Sequence, residues 1–133
     1  MNANKTEEPP EGRWRLRLEV DEPESRVAAA LDETGTMVGL AAAGATRDPD
    51  ATTAWELYSI NVVAHQQGSG LADDLMHAAA GDRNVTLWVR ADNARAQGFY
   101  GRHGFRIEGA TRMDESTGAS EIRMVRLSGA TNR

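Results

Sequence analysis

From residue 14 the chain alternates: Trp14, Leu16, Leu18 and Val20 stand between Arg15, Arg17 and Glu19, the period-two pattern of a half-buried strand. Asp21-Glu22-Pro23-Glu24-Ser25 breaks it, because proline and short polar side chains disfavour continued pairing. Residues 26–33 and 36–45 are two further apolar runs around Thr34-Gly35 and predict a hairpin. Ala28-Ala29-Ala30 and Ala41-Ala42-Ala43 suit a helix on propensity alone, but the runs are short and Gly35, Gly39 and Gly44 punctuate them, which favours strands. After the loop Arg47-Asp48-Pro49-Asp50, residues 55–63 are apolar on both faces, the pattern of a central strand covered on each side. A glycine turn follows at Gln66-Gln67-Gly68-Ser69-Gly70. Leu71, Leu75, Ala78 and Ala79 then share one face of a helix over 71–80, which Gly81 can end. Residues 85–91 read as a buried strand. Asp92 or Asn93 can cap a helix over 94–102 that His103-Gly104 terminates. Residues 105–108 and 121–127 read as two closing strands joined by a polar loop, 111–119. The order, strands first and then strand–helix–strand–helix–strand–strand, predicts an α/β or α+β class with a mixed sheet.

Length bounds this picture: 133 residues allow one core, placed here in a single domain over 13–128. Residues 1–12, with two prolines and three glutamates, read as a disordered tail. The polar, acidic start is unlike a signal peptide, and no apolar run approaches the roughly 18 residues of a membrane span. Absent cysteines remove disulfides, thiolate metal sites and cysteine nucleophiles. A net charge of −5 has the wrong sign for a domain held mainly by nucleic-acid phosphates. A soluble cytoplasmic domain with neither a nucleic-acid nor a membrane partner is expected.

The segment with most chemistry in it is the strand–glycine turn–helix at 55–80. Glycines there let the backbone approach a ligand, and unpaired N–H groups at a helix start favour an anion. Two phosphate motifs fail. The Gly-Lys-Ser/Thr of a P-loop is absent, and G-x-G-x-x-G would need its last glycine where Asp73 stands. A plain strand-to-helix connection explains the turn equally well when it is taken alone.

Asn93-Ala94-Arg95-Ala96-Gln97-Gly98-Phe99-Tyr100-Gly101-Arg102-His103-Gly104-Phe105 resembles the N-x-x-A-x-x-F-Y-x-x-x-G-F signature of the GNAT family of N-acetyltransferases. Gln67-x-x-Gly70-x-Ala72 is similar to the same family's Q/R-x-x-G-x-G/A loop, and the segments stand in the family's order over about residues 26–127. The resemblance implies a mostly antiparallel mixed sheet with splayed central strands, acetyl-coenzyme A as cosubstrate, and acetyl transfer to an amine of a small molecule or exposed peptide. The strand at 55–63 would splay from that at 85–91 to admit pantetheine. Backbone groups of Asn61, Val62 and Val63 would bond the pantetheine amides, and those of Gln67, Gly68, Ser69, Gly70, Leu71 and Ala72 the pyrophosphate. Backbone N–H groups and a helix dipole can hold an anion in an acidic protein without net positive charge.

Three side chains enter the implied chemistry. Tyr100 matches the family tyrosine that bonds the coenzyme sulfur and can protonate the leaving thiolate; a phenol stays protonated at neutral pH. The alternative for Tyr100 is an ordinary core residue. Glu56 stands where many relatives carry a general base, often acting through water, and an amine arriving as ammonium must lose a proton before attack. The alternative for Glu56 is a strand-end charge facing solvent. Asn93 matches a family asparagine that contacts the pantetheine arm, and it can cap the helix as well. His65, His77 and His103 share no spacing and no carboxylate cluster, so no metal site is expected. Asp73 and Asp74 suit the first helical turn and are expected to face away from phosphate.

The chain departs from the family at its start, where two helices ordinarily follow the first strand. About five turn residues separate 14–20 from 26, too few for a helix pair, which is thus missing or reduced. Residues 14–20 are either the first strand or a remnant of the second helix, and their alternation favours the strand. An uncovered face presenting Trp14 with apolar residues from 27–31 and 37–40 would call for a homodimer or a partner chain. Two functions stay open: a working N-acetyltransferase, favoured by Tyr100 and Glu56, or a shortened domain that binds acyl-coenzyme A or a protein without turnover.

Overall fold

The computed structural model describes residues 14–127. The expected tail, 1–12, and both ends of the expected domain lie outside them. The described residues form two compact units interleaved in sequence, 14–45 with 57–81 and 46–56 with 82–127.

The first unit holds strands β1 (Arg15–Glu22), β2 (Ser25–Leu31), β3 (Met37–Ala45) and all but the first two residues of β4 (Trp55–Val62), followed by helix α1 (Leu71–Ala80). β1 and β2 pair antiparallel with Glu22 opposite Ser25, so Pro23-Glu24 makes a tight turn with no helix between the strands. Residues 15–22 are therefore a strand and not a helix remnant. At the β2–β3 turn the Asp32 carboxylate accepts the N–H groups of Thr34 and Thr36 at 2.9 and 3.0 Å and the Thr34 hydroxyl at 2.7 Å, which ends both strands. Helix α1 buries Leu71, Leu75, Met76, Ala79 and Ala80 and packs on β2 and β3. Gly39 of β3 permits this approach: a Cβ there would lie 2.8 Å from Leu75 Cδ1.

One expectation fails here. Trp14, placed on an uncovered face, is only 6% exposed, and its indole N–H donates to Asp74 of α1 at 2.9 Å. Ala28, Ala29, Ala30, Leu31 and Val38 are also buried, which leaves Met37, at 49% exposure, as the open large side chain of that set. The physical reasons are the cover that α1 gives β2 and β3, and size. An alanine methyl on an interior strand is shaded by longer neighbours such as Arg17 and Leu40, which flank Ala29 on either side.

The second unit holds the 46–54 loop, the first two residues of β4, strand β5 (Val85–Arg90), helix α2 (Ala94–Arg102), β6 (Arg106–Met113) and β7 (Ser120–Arg126). Val85, Leu87, Val89, Phe105, Met124 and Val125 are buried. The buried Thr53 hydroxyl donates to the Trp55 carbonyl at 2.9 Å, and Arg83 lies over the Trp55 ring at 4.3 Å. β6 extends past the predicted residue 108 to Met113, and the predicted 111–119 loop shortens to 114–119. A bulge between Ile107 and Thr111 breaks the alternation, and nearly every β6 residue is exposed, so no buried face marks the strand in the sequence. The full strand order is β1-β2-β3-β4-β5-β7-β6. A mostly antiparallel seven-stranded sheet with two helices is the α+β class expected.

Candidate active site

In the first unit, β4 runs through Asn61 and Val62 to Val63, whose N–H donates to the Val38 carbonyl at 3.0 Å. That N–H is taken; Val63 itself is exposed. Residues 61–63 and 37–40 together line a shallow recess of about 260 Å³. A 3-10 turn at Ala64–Gln66 then leads into Gln67, Gly68, Ser69 and Gly70. The Gln67 N–H bonds the Ala64 carbonyl and the Ser69 N–H the Gln66 carbonyl, while the Leu71 N–H donates to the Ser69 hydroxyl at 3.3 Å. Among the described residues no acceptor meets the N–H groups of Gly68, Gly70 or Ala72. Gly68 and Gly70 hold φ of +81° and +96°, and a Cβ on either would meet nothing within 4 Å. Left-handed backbone explains why glycine stands there, and open space beside unpaired N–H groups at a helix start fits an anion. Asp74 is turned to Trp14, as an acid beside a phosphate cradle must be.

In the second unit, Asn93 caps α2: its Oδ1 accepts the Ala96 N–H at 3.0 Å, and its Nδ2 meets no acceptor among the described residues. Gln97 braces this corner by donating to the carbonyls of Arg90 and Ala91 at 3.0 and 3.1 Å. Tyr100 lies in the last turn of α2, half-buried, with Phe99 and Phe105 edge-on at 5.4 and 5.8 Å. Burial pushes its phenol up, so the hydroxyl holds its proton. No partner for that hydroxyl occurs among the described residues.

Glu56 differs from its solvent-facing alternative. It is 1% exposed. Its Oε1 accepts the Arg47 N–H at 2.9 Å and Arg47 Nε at 3.3 Å, and its Oε2 accepts Arg47 Nη2 at 2.9 Å. A carboxylate offers about four lone-pair positions, so these bonds fill three and leave one on Oε2. The structure thus brings Asn61, Val62, Val63 and residues 67–72 together in one unit, and places Glu56, Asn93 and Tyr100 in the other.

Sequence reasoning missed Arg123, whose guanidinium is buried against Glu108, Asp50 and Asp48. Its hydrogen bonds to Glu108 and then Asp50 push its pKa further up, and they pull both carboxyls below the usual range. The available signal was an arginine inside the apolar run Ile122-Arg123-Met124-Val125, since such a charge is buried only when paired. Among the described residues no group of three or more His, Asp or Glu could hold a metal, and no helix is long and apolar enough to cross a membrane.

The model of the Acetyltransferase (GNAT) family matches residues 2–105. The chain belongs to the GNAT acetyltransferase family. A GNAT-family protein from Desulfovibrio desulfuricans superposes with TM-score 0.64 at 25% identity, over 79% of this chain and 70% of its own. A chimera of the Vibrio cholerae spermidine N-acetyltransferase SpeG and hSSAT gives TM-score 0.62 at 21% identity, over 84% of this chain and 72% of its own. Arabidopsis thaliana Naa50, in complex with the bisubstrate analogue CoA-Ac-MVNAL, gives 0.59 at 19% identity, over 75% and 71%. The last two show the shared fold. No curated protein matches the chain.

Proposed function

We propose that one domain over 13–128 transfers an acetyl group from acetyl-coenzyme A to a primary amine of a small molecule or an exposed peptide. The observation that carries this reading is the open turn before α1, where the N–H groups of Gly68, Gly70 and Ala72 have no acceptor among the described residues. Gln67, Ser69 and Leu71, whose N–H groups are bonded within the turn, hold its shape and leave the pyrophosphate to Gly68, Gly70 and Ala72. Asn61, Val62 and Val63 meet the pantetheine arm through backbone groups other than the Val63 N–H, and Asn93 offers its Nδ2. Acceptors of both kinds occur among the similar folds, spermidine for one and a peptide-bearing analogue for another.

Two side chains act in the mechanism. Glu56 accepts the ammonium's proton at the remaining Oε2 position, relayed through water, and frees the nitrogen lone pair. The nitrogen attacks the thioester carbonyl, and the C–N bond forms as the C–S bond breaks. Tyr100 Oη gives its proton to the departing thiolate and recovers one from solvent, which has taken the second nitrogen proton. Glu56 then releases its proton to solvent, so the net products are the amide, free coenzyme A and one proton. Thiol release from acetyl-coenzyme A across spermidine, small primary amines and a Met-Val-Asn-Ala-Leu peptide tests the proposal. Amine-dependent release is expected, and tight coenzyme binding without release under any amine would favour the non-catalytic domain.

A homodimer or a partner chain is the assembly we infer; of the residues expected on an open face, Met37 is the one large side chain that stands exposed, at the recess lined by 37–40 and 61–63. Light scattering after size exclusion should give twice the chain mass, and a clean monomer at micromolar concentration refutes self-association.

A further inference from the structure

Arg123 of β7 is 3% exposed, and a buried guanidinium persists only when its charge and donors are met. Its Nε and Nη2 grip both oxygens of Glu108 on β6 at 3.1 and 2.8 Å. Its guanidinium also lies over the Trp88 ring at 5.4 Å, and its remaining hydrogen bonds reach the 46–54 loop. Nη1 meets Asp50 at 2.9 Å and Asp48 at 3.4 Å, and Nη2 meets Asp50 at 3.4 Å. Trp88 of β5 adds a second tether, its indole N–H donating to Asp48 at 2.7 Å, while Arg112 stacks on the Trp88 ring at 4.3 Å. At its base the loop is closed by the Thr46 N–H on the Ala54 carbonyl at 2.9 Å. Arg47 therefore stands between a closed base and a doubly held Asp48, and it is Arg47 that grips Glu56.

We propose that Arg123 is a positioning residue for Glu56. By fixing Asp48 and Asp50 it sets the loop so that Arg47 fills three lone-pair positions of the Glu56 carboxylate, which turns the fourth, on Oε2, toward the incoming amine. The inference rests on Glu56 being the proton acceptor. A network that served only to tie the loop down would alter thermal stability and leave the chemical step alone. One that orients Glu56 acts through it, so the two effects are not additive.

The experiment compares Glu56→Gln, Arg123→Gln, Asp50→Asn and the two doubles with Glu56→Gln, using whichever of spermidine or Met-Val-Asn-Ala-Leu turns over faster. Asp50 is 74% exposed, so Asp50→Asn loosens Arg123's hold on the loop without opening the core, and it decides the matter if Arg123→Gln fails to fold. Glu56→Gln should lower kcat roughly a hundredfold, and Arg123→Gln and Asp50→Asn roughly tenfold with KM for acetyl-coenzyme A unchanged. Neither should lower kcat further when Glu56 is already Gln. Amide exchange at Arg47 supplies an arm that needs no acceptor, and it should quicken at least about tenfold in Asp50→Asn. Full kcat in folded Arg123→Gln and Asp50→Asn, beside a damaged Glu56→Gln, overturns the positioning role and leaves the base in place. An equal further loss in the Glu56→Gln background overturns it too. Unchanged kcat in Glu56→Gln removes the base assignment itself.

Discussion

Replacing Gly70 tests the coenzyme cradle with an internal control. Gly70 is the N-cap of α1 at φ +96°, so any Cβ there strains the backbone by about 1–2 kcal/mol. No atom lies within 4 Å of that Cβ, so the space itself admits a side chain in the free protein. Gly70→Ala and Gly70→Glu share the strain, and only the glutamate adds a charge. A carboxylate about 8 Å from a phosphate, in an effective dielectric of about 20, repels it by about 2 kcal/mol, or roughly thirtyfold in affinity. Calorimetric titration with acetyl-coenzyme A should thus give Gly70→Glu a Kd about thirtyfold above that of Gly70→Ala, and the gap should narrow at high salt. Thermal melts of the two variants should nearly coincide. Equal affinities in two folded variants would refute the placement of the pyrophosphate in this turn.

Tyr100→Phe keeps the ring between Phe99 and Phe105 and deletes only the hydroxyl. Its kcat should fall by roughly ten- to a thousandfold while coenzyme affinity survives, and unchanged turnover would move the leaving-group proton to another source. Acid stability follows from carboxyls held below their ordinary range: Asp32 chiefly by the Thr34 hydroxyl, Asp114 chiefly by the Ser116 hydroxyl, Asp50 and Glu108 by Arg123. A depressed folded pKa adds stability above the unfolded value and loses it as pH falls through the folded one, so Tm should hold from pH 7 to about 5 and fall below about 4. Asp32→Asn should flatten part of that fall, and an acid limb identical to wild type would remove Asp32 from the account.

The helices were the most legible part of the sequence. α1 and α2 run Leu71–Ala80 and Ala94–Arg102, where the apolar spacing and the flanking Gly70, Gly81, Asn93 and His103 put them. Local chemistry sets such ends, and local chemistry is what a sequence displays. β6 was read five residues short because an exposed, bulged strand presents no alternation. The burial of Trp14, and of Glu56 against its solvent-facing alternative, was hidden for a different reason. Each is buried by a partner far along or across the fold, Asp74 for one and the 46–54 loop for the other, and composition carries no trace of such pairings. The Arg123 cluster combines both causes, since Asp48, Asp50, Glu108 and Arg123 look like surface charges until the sheet gathers them.

The central claim is acetyl transfer by this chain, and mass spectrometry of the acceptor tests it most directly. Incubated with acetyl-coenzyme A and the amine panel, the wild-type protein should yield at least one amine heavier by a single acetyl group, with the yield collapsing in Tyr100→Phe. Saturable coenzyme binding with no acetylated amine would contradict the account.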